Sequence, residues 1–576
     1  MKRRIRNAFK KIIVCLTLVT VLAVGMALIS CVVDNGDNGG GEEVLKTIYI
    51  DSVNGSDDNS GETLETAYKT LSKIENETIE AGTTVYLNGK FTYQNLIFQG
   101  SGTKEKPITI TSVDEENPAH INAGGLPAAI TLTNQSHITI KNLEISNQFG
   151  GYKTAEEYVA SKDERMSARQ GIFVIGTEGV SSGITIEDCN IHDIFATYKG
   201  SEEAQGGYNY SFYSSAAIRF RFDMPKCSPR NKFDQVSIKN NVIKDIVGCG
   251  IRFHDAGQAI TEEYQNAYFS KVVIEDNLID NTAGDGIILQ NCLKPVVRRC
   301  KIFRVAQLEP ESSKNFHCAV WGCAVESPLY EYNEVAYTKF VDGDGQAFDM
   351  DWGSKGTSIW QYNYTHDNEG GVILRHEDFK GIYRYNISVN DGSPKGGERH
   401  RGLIFHSQGG KQGATETTYF YNNVFYCDDK VDMAITQTFA NFGTAKGEVS
   451  YSTSLNVLKN NIFVFDNASV DWGDLNEYEG NCYYRLGGAS FTVPSKDSKA
   501  IKGNPSFVGA QGSSKTGKLN TYPASIDEAK TAFALTSNSP CKGRAVDLIT
   551  KEKYLWEKKN FAGDALADSG NNVGAI

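Results

Sequence analysis

One local frame recurs along most of this chain: an apolar residue, two others, an asparagine, then more apolar residues. It is present around Asn241 (VSIKNNVIKDI), Asn277 (VVIEDNLIDN), Asn333 (PLYEYNEVAY) and Asn363 (SIWQYNYTHD), and again around Asn386, Asn423 and Asn461. Leu143, Cys189 and Cys300 take the asparagine's place in the same frame. A polar side chain among apolar neighbours must find a hydrogen-bond partner. A side chain that recurs at a fixed place can find it in its own counterpart one repeat away.

The shortest intervals, 277 to 300 and 363 to 386, are both 23 residues. That length suits three short strands per coil, with coils stacked about 4.8 Å apart and the asparagines forming a ladder at one corner. The expected fold is all-β, a single right-handed parallel β-helix. A propeller or sandwich explains neither the constant frame nor its replacement by small or apolar residues. The 56 glycines, 13 prolines and 56 Tyr plus Phe residues agree with many short strands.

A second strand follows each ladder position: AAIRFRF (216–222), GIRFHD (250–255), DGIILQN (285–291), QAFDMD (346–351), GVILRH (371–376) and GLIFHS (402–407). Alternation with period two sends Ile251, Phe253, Ile287, Leu289, Phe348, Met350, Val372, Leu374, Leu403 and Phe405 inward. The residues between them then form outward columns. One reads His254, Gln290, Asp351, Arg375, His406, and the other Arg252, Ile288, Asp349, Ile373, Ile404. Such a concentration of His, Asp and Arg, with Trp321 and Trp352 near the acids, marks a candidate groove. Arg252, His254, Gln290, Trp321 and Trp352 are its expected substrate contacts.

The ends divide the chain further. Residues 1–11 carry six basic side chains and Ile12 to Leu28 is apolar, as in a secretory signal. Leu28-Ile29-Ser30-Cys31 resembles a bacterial lipoprotein cleavage site, which implies a lipid on Cys31 and a place in the cell envelope. Residues 32–46 are expected to be a flexible tether and 47–576 the β-helix, with a cap at 47–90, coils at about 91–480 and terminal coils and a cap at 481–576. A helix starting near Thr63 is expected to cover the first coil.

Removing six of the 58 basic side chains against 70 acidic ones takes the formal net charge from −12 to −18, which argues against nucleic acid as a partner. The expected partner is a polysaccharide, bound by a monomer that meets the membrane only through its lipid. The cysteines fit no zinc spacing.

Chemically, Asp349 and Asp351 share a face at about 6.5–7 Å between α-carbons. Two schemes use such a pair. In β-elimination, a cation or arginine neutralises a uronate carboxylate and a lysine of lowered pKa removes the adjacent proton. In hydrolysis, two carboxylates serve as acid and base or nucleophile, with Asp255, Asp342, Asp344, Asp349 and Asp351 as candidates. Asp342 and Asp344 also suit a glycine turn, and Tyr332, Tyr362 and Tyr385 suit an outer packing column. A non-catalytic carbohydrate-binding or adhesion surface is the third reading.

FDMDWGSK followed by GGVILRHED resembles the core of chondroitinase B and the alginate lyases of polysaccharide lyase family six. The resemblance covers about residues 340–410. It implies Asp349 and Asp351 as Ca²⁺ ligands, Lys355 as base, and Arg375 with His376 beside it. His406 joins them as a catalytic candidate on the column. The sequence has Asp where that family has Glu, and its lysine lies one residue closer to the acids.

Overall fold

The computed structural model describes residues 46–161, 168–195, 215–223, 232–255, 267–308, 316–340, 344–351, 353–376, 380–392, 403–407, 417–431, 433–438, 456–467, 469–473, 476–513, 516–548, 559–567 and 570–576. The signal, residues 32–45 of the tether, Cys31, Asp342 and Trp352 lie outside them, as do the side chains of His254, Asp255, His376, Phe405 and His406.

Three parallel sheets of 15, 14 and 11 strands make up the described body, and each coil contributes a strand to every sheet in turn. In one coil these are Lys232–Lys239, Val242–Val247 and Cys249–Asp255. They are termed the first, second and third sheets. This is the expected right-handed parallel β-helix. None of the described helices is long and apolar enough to cross a membrane.

The ladder stands at the corner between the first and second sheets. Asn241 donates from its backbone and side-chain nitrogens to Asn277 Oδ1, at 3.0 and 2.9 Å. Asn333, Asn363, Asn386, Asn423 and Asn461 repeat this from coil to coil. The chain of bonds runs past Asn461 to Asn481 and Asp497, beyond the end expected from sequence. Cys189 and Cys300 also stand in the column, where their backbone N–H groups donate to Asn241 and Asn333.

The residue before each ladder position turns the corner in the left-handed region, with φ of 51° to 57° from Asn142 to Asn460. Asn and Asp adopt that conformation at little cost. Tyr332, Tyr362 and Tyr385 adopt it too and stack on one another, with centroids 4.9 and 5.8 Å apart. Tyr362 donates its hydroxyl to Lys559 O at 2.7 Å, so the C-terminal segment covers this column. Packing, as expected, is its role.

Inside, like packs on like. Ile218, Ile251, Ile287, Val320, Phe348, Ile373, Ile404 and Ile435 stand in register on the third sheet. Phe220 stacks on Phe253 at 4.9 Å, and Phe463 on Phe425 and Tyr483.

The N-terminal cover differs from expectation. Thr47–Asp51 already pairs with Thr84–Asn88 as the first strand of the stack. Residues near Thr63 form turns, and the helical element is a short 3₁₀ turn at Leu71–Ile74. Its Leu71 and Ile74 close the end of the core.

Candidate functional site

The third sheet is where the coils are interrupted. Long connections enter its strands from Phe195, Phe303 and Val389 and leave them after Asp255, Ser407 and Thr438. Loops held by a rigid scaffold are where binding and catalysis concentrate.

Register sets positions of successive third-sheet strands level with one another, one coil apart. One column reads Phe173, Arg219, Arg252, Ile288, Trp321, Asp349, Leu374, Phe405. Gln290 is level with Cys323 in the next column, two residues along the strands. The strand Val320–Cys323 lies between those of Gln290 and Asp349, a coil that the alternation argument passes over.

Phase is the second difference. Ile373, rather than Val372, is level with inward Phe348, so Arg375 is level with Met350 and His406 with Arg375. Arg375 therefore does not stand beside Asp351. Its side chain is fully buried, and Nη1 donates to Asn456 Oδ1 at 2.8 Å. The stretches GVILR and GLIF are apolar on both faces, and continuous apolar runs carry no phase. A slip of one residue turns every side chain over.

Lys355 is exposed and belongs to a corner. Its backbone bridges Glu326, donating to Val325 O at 2.8 Å, on the way to the first sheet. Trp321 is partly buried, in register with Asp349 and packed against Ala216, Cys249 and Ile288.

What gathers around Asp349 is a buried acidic group. Asp349 is 5% and Asp344 7% exposed, and their carboxylate oxygens and the Cys318 sulfur all lie within 4.8 Å of one another. Asp351 follows two residues on and is half-buried. Burial, then the charges of Asp351 and Asp344, push the Asp349 carboxyl well above the ordinary carboxylate range. Asp349 Oδ1 has no hydrogen-bond partner among the described residues. A buried polar oxygen left unpaired costs about 1–3 kcal/mol unless something else meets it.

A polar network lies behind this group. Asp285 Oδ1 accepts from Cys318 N at 2.9 Å, and its Oδ2 faces buried His317 Nδ1 at 3.1 Å. The Cys318 thiol donates to Gln346 Oε1 at 3.5 Å, and burial together with Asp349 raises its pKa well above the usual value. Sequence reasoning missed Asp285, His317, Cys318 and Gln346 and read Asp344 as a turn former. The available signal was a polar residue two places before Ile287, Val320 and Phe348.

Asp349 and Asp351 were expected to hold Ca²⁺. The described donors that converge on Asp349 are two carboxylates and a thiol. Calcium takes six to eight oxygens, so this set does not fit it.

No known protein-family profile matches the sequence. The lacto-N-biosidase of Bifidobacterium longum subsp. longum is 24% identical over 558 residues, covering 82% of this chain. The chain spans about a third (32%) of that curated relative's length. A crystal structure of the GH136 lacto-N-biosidase from Eubacterium ramulus superposes with a TM-score of 0.50 at 20% identity, over 69% of this chain and 67% of that one. The PL6 family alginate lyase AlyGC gives 0.33 at 12% identity, over 81% and 56%. The parallel sheets and the likeness to the Eubacterium ramulus structure place the chain, by fold, among the right-handed parallel β-helix proteins.

Proposed function

We propose that this chain is a glycoside hydrolase whose acid is Asp349 and whose second carboxyl is Asp351. The observation that carries this reading is the buried Asp349 carboxyl, with one oxygen unpartnered and with Asp351 and Asp344 beside it. Glycoside hydrolysis uses a pair of carboxyls, one of which is held protonated by its surroundings. Asp349 would protonate the leaving oxygen as the glycosidic C–O bond breaks. Asp351, the more accessible acid, would attack the anomeric carbon or activate a water there. Trp321 offers an apolar ring beside them for a sugar face. Elimination draws less support, because Arg375 is in the core and Lys355 at a corner.

The 24% identical relative is a lacto-N-biosidase, so a lacto-N-biosyl glycoside is the first substrate to assay. Under the same reading the chain is exported, held at the bacterial envelope by a lipid on Cys31, and works as a monomer.

The test is release of reducing sugar from a panel of aryl glycosides and oligosaccharides, run beside uronate polymers with absorbance recorded for unsaturated products, with calcium and with chelator. Asp349→Asn and Asp351→Asn should each lose about 10²–10⁴ of the hydrolytic rate with the melting temperature held. Unsaturated products, or full activity in both variants, would overturn the proposal. If Asp344→Asn alone abolishes turnover, Asp344 takes the role given to Asp351.

A further inference from the structure

On the second sheet, on three successive coils near the N-terminal end, a separate set of side chains converges. His120 begins the strand His120–Asn122, Glu144 the strand Glu144–Asn147, and His192 lies in Asn190–Phe195. His120 is level with Glu144, and His192 is level with Ser146. All three side chains are half-buried.

Each imidazole has one nitrogen engaged outside the cluster and one directed into it. His120 Nε2 pairs with Ser146 Oγ at 2.8 Å, and His192 Nδ1 with Asp193 Oδ2 at 2.8 Å. The inner nitrogens, His120 Nδ1 and His192 Nε2, approach one oxygen, Glu144 Oε1, at 3.2 and 3.1 Å. Asp193 only accepts, so His192 Nδ1 carries a proton there. The contact of His192 Nε2 with Glu144 Oε1 is a hydrogen bond when that nitrogen also carries a proton, and a divalent ion can take that proton's place between the two atoms.

The geometry points to a binding site for a first-row divalent transition ion of the zinc class, held by His120, His192 and Glu144 with water completing the shell. Zinc bonds of about 2.0–2.1 Å in a tetrahedron place neighbouring ligand atoms roughly 3.3 Å apart, close to the observed nitrogen–oxygen contacts. The outer pairings of His192 with Asp193 and His120 with Ser146 are the kind that orient metal-bound imidazoles. Two nitrogens and one carboxylate select zinc, cobalt or nickel over calcium and magnesium. Such an ion would tie three coils together across the strand direction. Lys90 and Lys244, level with His120 and His192, oppose a cation, so the affinity belongs to an accessory site.

The experiment uses the purified full chain after chelation and dialysis. Zinc is titrated calorimetrically, and Co²⁺ is added separately while the visible bands of tetrahedral cobalt are recorded. Expected are one such ion per chain, a higher unfolding midpoint with zinc, and no response to calcium. His192→Ala and Glu144→Gln should lose at least tenfold in affinity, with the metal-free melting temperature held. Should the alanine variant fail to fold, Glu144→Gln, similar in size and shape, answers alone. No zinc uptake by the wild type would overturn the proposal, as would undiminished uptake by a His120→Ala, His192→Ala double variant.

Discussion

At the scale of single residues, charge and burial decide roles that residue type alone leaves open. Arg375 and Asp349 lie on consecutive coils with opposite fates, one inside the stack and one facing outward. Arg375→Ala removes a buried donor from Asn456 and opens a large void, so it should cost about 3 kcal/mol or more of stability. Denaturant unfolding measures that loss, while kcat of the folded fraction should stay within a few-fold. Asp391 is a second buried acid. Thr365, Ser388 and Asn368 donate to it, yet burial pushes its pKa up to about 6. A raised carboxyl pKa means that the folded state holds a proton which the unfolded chain gives up near pH 4. Its contribution is therefore complete below about pH 4 and is lost as the pH rises through about 6. The shift corresponds to roughly 3 kcal/mol. Asp391→Asn should remove this slope, so urea unfolding at pH 4 and pH 7 should show the variant gaining on the wild type at the higher pH.

At the scale of elements, the unit is the corner, where a left-handed residue precedes a ladder side chain. Each asparagine satisfies the coil before it and takes its oxygen's partners from there, so the ladder fails by pairs. Asn386→Ala would remove the acceptor of the Asn363 backbone N–H and one of the two acceptors of its amide, and would free the carbonyls of Trp360 and Arg384. The expected cost is about 2–4 kcal/mol, read from the denaturation midpoint. The third sheet is built from the same strands but carries the long connections at both ends, and the acidic group faces outward there.

At the scale of the whole described body, stability is a sum of neighbour contacts between coils, so coverings outside the stack matter most where they touch several coils at once. The C-terminal segment does so. Phe561, Val573 and Ala575 are buried with the second sheet's outer face, and Asn422 Nδ2 donates to Asn572 O at 2.9 Å. Deleting residues 559–576 should uncover the stacked Tyr332, Tyr362 and Tyr385. A lower melting temperature and stronger binding of a hydrophobic dye should follow, while the proposed hydrolysis at Asp349 should be retained.

The fold was legible in the sequence because a ladder is a repeat. Asn241 to Asn461 must each be buried and each be paired, and only stacked coils do both at that interval. The outward place of Asp349 was legible too, since FDMD alternates cleanly. The phase of GVILRH was not, because Val372, Ile373 and Leu374 are all buried and periodicity gives no signal there. The partners of Asp349 were equally hidden. Cys318 and Asp344 are 31 and 5 residues away along the chain, with Asp285 and His317 behind them, and only the stacking of three coils brings this set together. Local pattern sets which residues can share a face. Which of them meet depends on register between coils, and register is a property of the packed stack.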